Sequence, residues 1–212
     1  MFENRQDAGQ QLAQRLLHIK DDRPVVLGLP RGGVVVAAEV ANVLGAPLDV
    51  LVVRKLGAPH QPELAIGAVT NGDNPQRILN DKVIALVGVR DDYLQKETAA
   101  QLDEVRRRQT LYRGGRSAID TTQRTVIVVD DGIATGATVR AGIQALRQSN
   151  TKRVVLAVPV APQETVDVLR AEVDEFICLA TPRKFTAVGA LYRDFHQTTD
   201  AEVIQALERF GA

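Results

Sequence analysis

VIVVDDGIATGAT, Val126–Thr138, changes character twice within a few residues. Val126, Ile127, Val128 and Val129 form an apolar run short enough for a strand and too uniform for a sheet face open to water, so a central parallel strand is expected. Asp130 and Asp131 follow at once, then a small-residue loop, Gly132 to Ala134. Thr135-Gly136-Ala137-Thr138 opens a helix, legible in Val139, Ile143 and Leu146, one stripe of a 3.6-residue repeat.

The chemistry follows from where such a segment puts its groups. The first turn of a helix carries unpaired N–H groups and the positive end of the backbone dipole, and glycine lets an anion approach the main chain. Thr135, Gly136, Ala137 and Thr138 are therefore expected to hold a phosphate. The acidic pair repels phosphate but accepts hydrogen bonds from two neighbouring sugar hydroxyls. A ribose 5-phosphate satisfies both halves; the plain alternative is a turn that merely caps a helix.

Two further strands are expected to stand beside this one. Val25 to Leu29 is apolar and runs into Pro30-Arg31-Gly32-Gly33 and an almost wholly apolar helix from Val34 to Leu44. Arg31 adds a fixed charge that suits a pyrophosphate. Leu48 to Val53 reads as the next strand, with Arg54 and Lys55 at its C-terminal end, the edge where open α/β sheets place ligands. By itself that basic pair would read as a solvated loop; beside the other motifs it faces the same pyrophosphate.

Between Gly57 and Thr125 the strand–helix alternation stops. Leu64 to Thr70, the turn Asn71-Gly72-Asp73-Asn74 and Arg77 to Leu79 form a hairpin pattern. Asp81 to Val89 fits a helix or a strand. Asp91 to Tyr112 is a charged helix with the sparse stripe Leu94, Leu102, Val105 and Tyr112, stopped by Gly114-Gly115. Arg106, Arg107 and Arg108 read as a solvated face, while Arg113 and Arg116 flank the glycines. Beyond the central segment, Val154 to Val158 and Glu175 to Leu179 add two strands around a helix from Gln163 to Ala171. Five parallel strands, starting at Val25, Leu48, Val126, Val154 and Glu175, make a Rossmann-like α/β layer. Ala8, Leu12 and Leu16 mark an N-terminal helix expected to pack on it. Phe185, Val188, Tyr192 and Phe195 cluster in a chain poor in aromatics, and Thr199 with Glu202 forms a capping box for a last helix through Val203, Leu207 and Phe210.

Composition bounds the partners. Lys plus Arg total 26 and Asp plus Glu 26, a balance that gives no support to nucleic-acid or membrane-surface binding. The single cysteine, Cys178, excludes an intrachain disulfide and fits a reducing compartment. No apolar run approaches a bilayer's thickness and no N-terminal signal is visible. The expectation is one soluble, cytoplasmic domain over 1–212.

The Val126–Thr138 segment resembles the ribose-phosphate signature of the type I phosphoribosyltransferases, which bind phosphoribosyl pyrophosphate with Mg2+. GLPRGG, VRKLGAP, PELAIGAV, VDDGIATGAT and FTAVGALYRDF together resemble a bacterial group of these enzymes whose acceptor is not established. The resemblance implies a five-stranded parallel sheet, a lid insertion over about 57–125 and a small hood over about 180–212. It implies that Asp130 and Asp131 are catalytic, holding the ribose hydroxyls and touching Mg2+ only through those hydroxyls or water. It places pyrophosphate on Arg31, Gly32, Gly33, Arg54 and Lys55, with a non-proline cis peptide at Pro30–Arg31. Arg113 and Arg116 become lid residues that exclude water, and Phe185, Val188 and Tyr192 stack on the acceptor base, the competing reading being local core. Ala134 stands where hypoxanthine and guanine enzymes carry an aspartate, which argues against their proton-handling base. The implied reaction moves ribosyl 5-phosphate to a nitrogen heterocycle; a regulatory module that binds phosphoribosyl pyrophosphate without catalysis is the alternative, and hydrolytic chemistry on a nucleotide a third. A homodimer would be in keeping with the resemblance.

Overall fold

The computed structural model describes residues 1–70 and 77–210. Five strands form one parallel sheet: β1 (Val25–Gly28), β2 (Leu48–Val50), β6 (Thr125–Val129), β7 (Arg153–Val160) and β8 (Glu175–Ala180), in the order β2-β1-β6-β7-β8. Helices cover both faces, which is why the strand sequences are continuously apolar rather than alternating. Val26, Ile127, Val129 and Val155 turn to the side of α1 (Arg5–Arg15), α2 (Gly32–Leu44) and α7 (Asp200–Glu208), which contribute Leu12, Val36 and Leu207. Val25, Val126, Val128 and Leu156 turn to the other side and meet Val139, Ile143 and Leu146 of α5 (Ala137–Gln148) and Leu169 of α6 (Gln163–Arg170). Each fully buried aliphatic side chain contributes roughly 1.5–3 kcal/mol, against about 0–1 for a surface ion pair, so these two apolar layers and not the charged exterior set the fold.

The expected second strand divides. Leu48–Val50 stays in the parallel sheet, whereas Val53–Ala58 is β3 of a second, antiparallel sheet with β4 (Gln61–Thr70) and β5 (Arg77–Leu79). Pro59 and His60 join β3 to β4 in a two-residue turn, His60 taking a left-handed φ of 60°. Arg54 and Lys55 therefore lie inside a strand, opposite Val69 and Ala68, and not in a loop at the C-terminal edge of the parallel sheet. The expected turn at Asn71–Asn74 lies outside the described residues. Asp81–Val87 resolves as a helix, α3, capped by the Asn80 side chain, and Asp91–Arg113 as α4, ended by Gly114 at φ 57°. Leu56, Ile66, Val69, Leu94, Val105 and Tyr112 join the antiparallel sheet and α4 to the α2 side of the core. The capping box at Thr199 and Glu202 is formed as the spacing predicts.

Candidate active site

β1 and β6 are adjacent, and each is followed by a short loop into a helix. The chain moves from β1 outward to β2 on one side and to β6, β7 and β8 on the other, so the crevice between their C-terminal ends is the switch point where open α/β sheets bind ligands. At the end of β1, Pro30 and Arg31 are joined by a cis peptide, and Arg31 precedes α2 with no side-chain hydrogen bond capping the helix. At the end of β6, the chain runs through Asp130 and Asp131 to Gly136, which takes a φ of 75° and opens α5, again without a side-chain cap. Two uncapped helix N-termini thus share one crevice. Thr135, Ala137 and Thr138 are exposed there, while Gly136 is buried against Leu169 and Thr165. Thr165 Oγ1 donates to the Ala134 carbonyl at 2.7 Å and the Ile133 N–H to Val160 at 2.9 Å, pinning the loop to α6 and β7.

The two loops touch through their glycines. A Cβ on Gly33 would sit 2.8 Å from the Asp130 Cα, and one on Gly32 would collide with Asp131 Oδ2. Any side chain at either position would push the acidic pair away, so glycine here serves close approach rather than flexibility. Burial first, and the Asp131 charge second, push the Asp130 carboxyl well above the usual carboxylate range. The Asp131 N–H donates to Asp130 Oδ1 at 2.9 Å, which partly offsets that effect. Burial also raises Asp131, against an opposing pull from Arg5.

Arg5 is a residue that sequence reasoning missed. Its Nε donates to Asp131 Oδ2 at 2.7 Å, its Nη1 donates to the His196 carbonyl at 2.8 Å, and its guanidinium carbon lies 3.9 Å from the centre of the Phe195 ring. The available signal was a lone arginine at the start of α1, four residues before a glycine, and nothing local distinguishes it from a solvated charge.

Several expected roles change. Arg113 is buried at 8% exposure and forks onto Asp49 of β2, Nε to Oδ1 and Nη2 to Oδ2, both at 2.9 Å. Arg116 Nε donates to the Arg113 carbonyl at 3.0 Å and its Nη1 to that of Leu207 at 3.4 Å. Arg113 is therefore a structural tie to β2 and not a lid residue, because a buried aspartate needs a guanidinium partner, while Arg116 is exposed and among the described residues bonds only to backbone carbonyls. Arg54 Nε donates to Gln101 of α4 at 3.0 Å, and Lys55 is half-buried in β3. Tyr192 is buried against Phe2 and Phe195, and its hydroxyl donates to the Asp131 carbonyl at 2.5 Å, so its ring is not available to stack on a base. Val188 covers Gly132, and Phe185 is half-buried in the same aromatic cluster. Arg106 and Arg107 lie on the solvated face as expected, paired with Asp103 and Glu104.

A model of the phosphoribosyl transferase domain matches residues 3–193, which takes in both loops, the acidic pair and Arg5. The chain belongs to the phosphoribosyltransferase family. A Mycobacterium tuberculosis protein provisionally named a phosphoribosyl transferase is 51% identical over 209 residues, 99% of this chain but 47% of that protein. The chain thus spans about half the length of the curated relatives it matches. The crystal structure of TT1426 from Thermus thermophilus shares 44% identity and superposes with a TM-score of 0.88 over 100% of both chains. Among the described residues no helix is long and apolar enough to cross a membrane.

Proposed function

We propose that this protein transfers ribosyl 5-phosphate from phosphoribosyl pyrophosphate to a nitrogen of a heterocyclic acceptor and releases pyrophosphate. The observation that carries the reading is the contact between the two loops: Gly32 and Gly33 lie against Asp131 and Asp130, so a pyrophosphate on one loop and a ribose on the other would share one anomeric carbon. In this reading the first-turn N–H groups and hydroxyls of Thr135 to Thr138 hold the 5-phosphate. Asp130 and Asp131 accept from the 2- and 3-hydroxyls, and their charge favours the positive character that grows on the ribose ring. Arg31, Gly32 and Gly33 receive the departing pyrophosphate. Arg54 and Lys55 would serve it only from the β3 strand, where Arg54 already donates to Gln101 of α4.

The bond from the anomeric carbon to the pyrophosphate oxygen breaks and its electron pair leaves with pyrophosphate. The acceptor nitrogen supplies the pair for the new bond and yields its proton to solvent. Catalysis is then mainly positioning and electrostatics.

Among the described residues no three His, Cys, Asp or Glu side chains gather into a metal cluster. Two carboxylates, one already met by arginine, suit a hydrated hard cation carried by diphosphate oxygens rather than a protein cage. Mg2+ held in that way, through hydroxyls or water at Asp130 and Asp131, would supply charge neutralisation to the leaving group.

The test is pyrophosphate release from phosphoribosyl pyrophosphate across a panel of purine, pyrimidine and other heterocycles, with Asp131→Asn beside the wild type. Acceptor-dependent release is expected, with turnover lowered about 100-fold in the variant and donor affinity lowered less. Ala134 favours the regulatory alternative, which donor binding without release for any acceptor would support. Absence of donor binding would sink both.

A further inference from the structure

The two ends of the chain converge on Asp131. Phe2 pairs with the segment after β8, its N–H donating to Leu191 at 2.8 Å and its carbonyl accepting from Arg193 at 2.9 Å, and the Asp194 N–H reaches Glu3 at 2.9 Å. This latch sets the start of α1 and the aromatic cluster side by side. Arg5 comes from one end and Tyr192 from the other, the first on the Asp131 carboxylate and the second on its carbonyl.

The way Arg5 is used is unusual for an arginine that meets a carboxylate. Its planar fork favours two parallel bonds to the two oxygens, as Arg113 makes to Asp49. Arg5 instead gives Nε to Oδ2 and diverts Nη1 to the His196 carbonyl, while Phe195 lies under the guanidinium plane. Arg5 is 7% exposed, so water does not compete for this arrangement. Oδ2 is held down against Gly32 with Arg5 Nε on it, and the Asp130 carboxyl also meets the Asp131 carboxylate. Arg5 takes only that one oxygen and so leaves the other unclaimed by its own guanidinium.

We propose that Arg5 is the positioning residue of the ribose subsite: it clamps one oxygen of Asp131 against Gly32 so that the other meets a sugar hydroxyl, and so sets the preference for ribose over a deoxy sugar. This rests on the transferase reading of the same crevice. Arg5 borders Gly32, where a Cβ would sit 2.6 Å from its Nε, and reaches the ribose only through Asp131.

Calorimetric titration of the whole chain with ribose 5-phosphate, 2-deoxyribose 5-phosphate and 3-deoxyribose 5-phosphate tests it. The wild type is expected to prefer ribose 5-phosphate by about tenfold over each deoxy sugar, the range of one hydrogen bond to a charged group. Arg5→Gln is expected to erase the preference against one of the two, the sugar lacking the hydroxyl that Asp131 serves, and to keep it against the other. Arg5→Lys, which can pair with Asp131 but not also reach His196, is expected to restore part of it. A variant that weakens all three sugars equally would make Arg5 merely structural and overturn the proposal. Should Arg5→Gln not fold by circular dichroism, an unchanged preference in Arg5→Lys overturns it as well. A wild type that binds all three equally refutes the subsite while leaving the phosphate loop standing; a wild type that binds none refutes the transferase reading itself.

Discussion

Asp49 and Asp131 are each met by an arginine from a distant part of the chain, and the two pairs are built to opposite ends. Asp49, 5% exposed, is saturated: Arg113 takes both oxygens, and the N–H groups of Val50 and Ile119 donate to them at 2.7 and 3.1 Å. Asp131, in the loop after β6 beside the crevice, meets an arginine through one oxygen only and has the Asp130 carboxyl beside it. A saturated carboxylate ties elements together and has nothing left for a ligand. A carboxylate held by one oxygen is oriented yet still able to accept, which is what a binding site needs.

The largest test of this contrast removes Arg113. Arg113→Ala leaves the Asp49 charge buried and unpaired, and is expected to cost about 3–5 kcal/mol in urea unfolding while the folded fraction keeps its sugar-phosphate affinity. A cost below about 1 kcal/mol would erase the distinction between a structural and a functional pair.

A smaller effect of opposite sign is expected at Asp130. Burial and the Asp131 charge raise its folded-state pKa above the ordinary 3.8, so the folded protein binds that proton more tightly than the unfolded chain does. Stability is then favoured at low pH and falls as pH rises through the raised value. Asp130→Asn is expected to melt several degrees higher than wild type at about pH 8, the gain shrinking toward about pH 4, and to lose ribose 5-phosphate binding. A variant that melts lower at every pH would show that the carboxylate is stabilising and the site is not strained by charge.

The smallest effects belong to the corner beneath Arg5. Thr199→Ala removes the cap of α7 and is expected to cost about 1 kcal/mol without altering either arginine pair, read by thermal melting. His196 bridges Glu202 at 3.0 Å and Asp194 at 3.1 Å; these carboxylates, Glu202 first, raise its pKa, and the His196 hydrogen bond, followed by that from Thr199, lowers Glu202 to about 2. The histidine's contribution is full below 6.5 and is lost as pH rises through its raised value; the glutamate's is present above 4.5 and lost as pH falls toward about 2. Both groups are exposed, so the energies are small, and the informative reading is an NMR titration in which Glu202→Gln moves His196 back toward 6.5.

Much of the sheet was legible because a strand covered on both faces is apolar at every position: β1, β6 and β7 could be read from Val25, Val126 and Val154 without knowing their neighbours. β3 was missed for the converse reason. Its Arg54, Lys55 and Gly57 carry no apolar run, and only pairing with β4 makes it a strand. The glycine loops and acidic pair were legible because their chemistry is local: a strand end, a helix start and the residues between. Arg5 and Arg113 were not, since their partners lie 126 and 64 positions away and an arginine looks alike whether it is solvated or buried. Tyr192 could be read as local core or, from the resemblance, as a face for a base, and its burial against Phe2, which favours the first, depends on the other end of the chain.

The amino-acid sequence by itself determined which segments must be buried strands and where two phosphate-sized loops follow them, because periodicity, turn chemistry and helix N-termini act over a few residues. Only the tertiary structure decided which charges answer which. Gly32 lies under Asp131, Arg5 reaches Asp131 while Arg113 reaches Asp49, and Tyr192 points inward. Those outcomes turn on distances across the fold and on the cost of leaving a charge in the interior without a partner, neither of which is written at any one position of the chain.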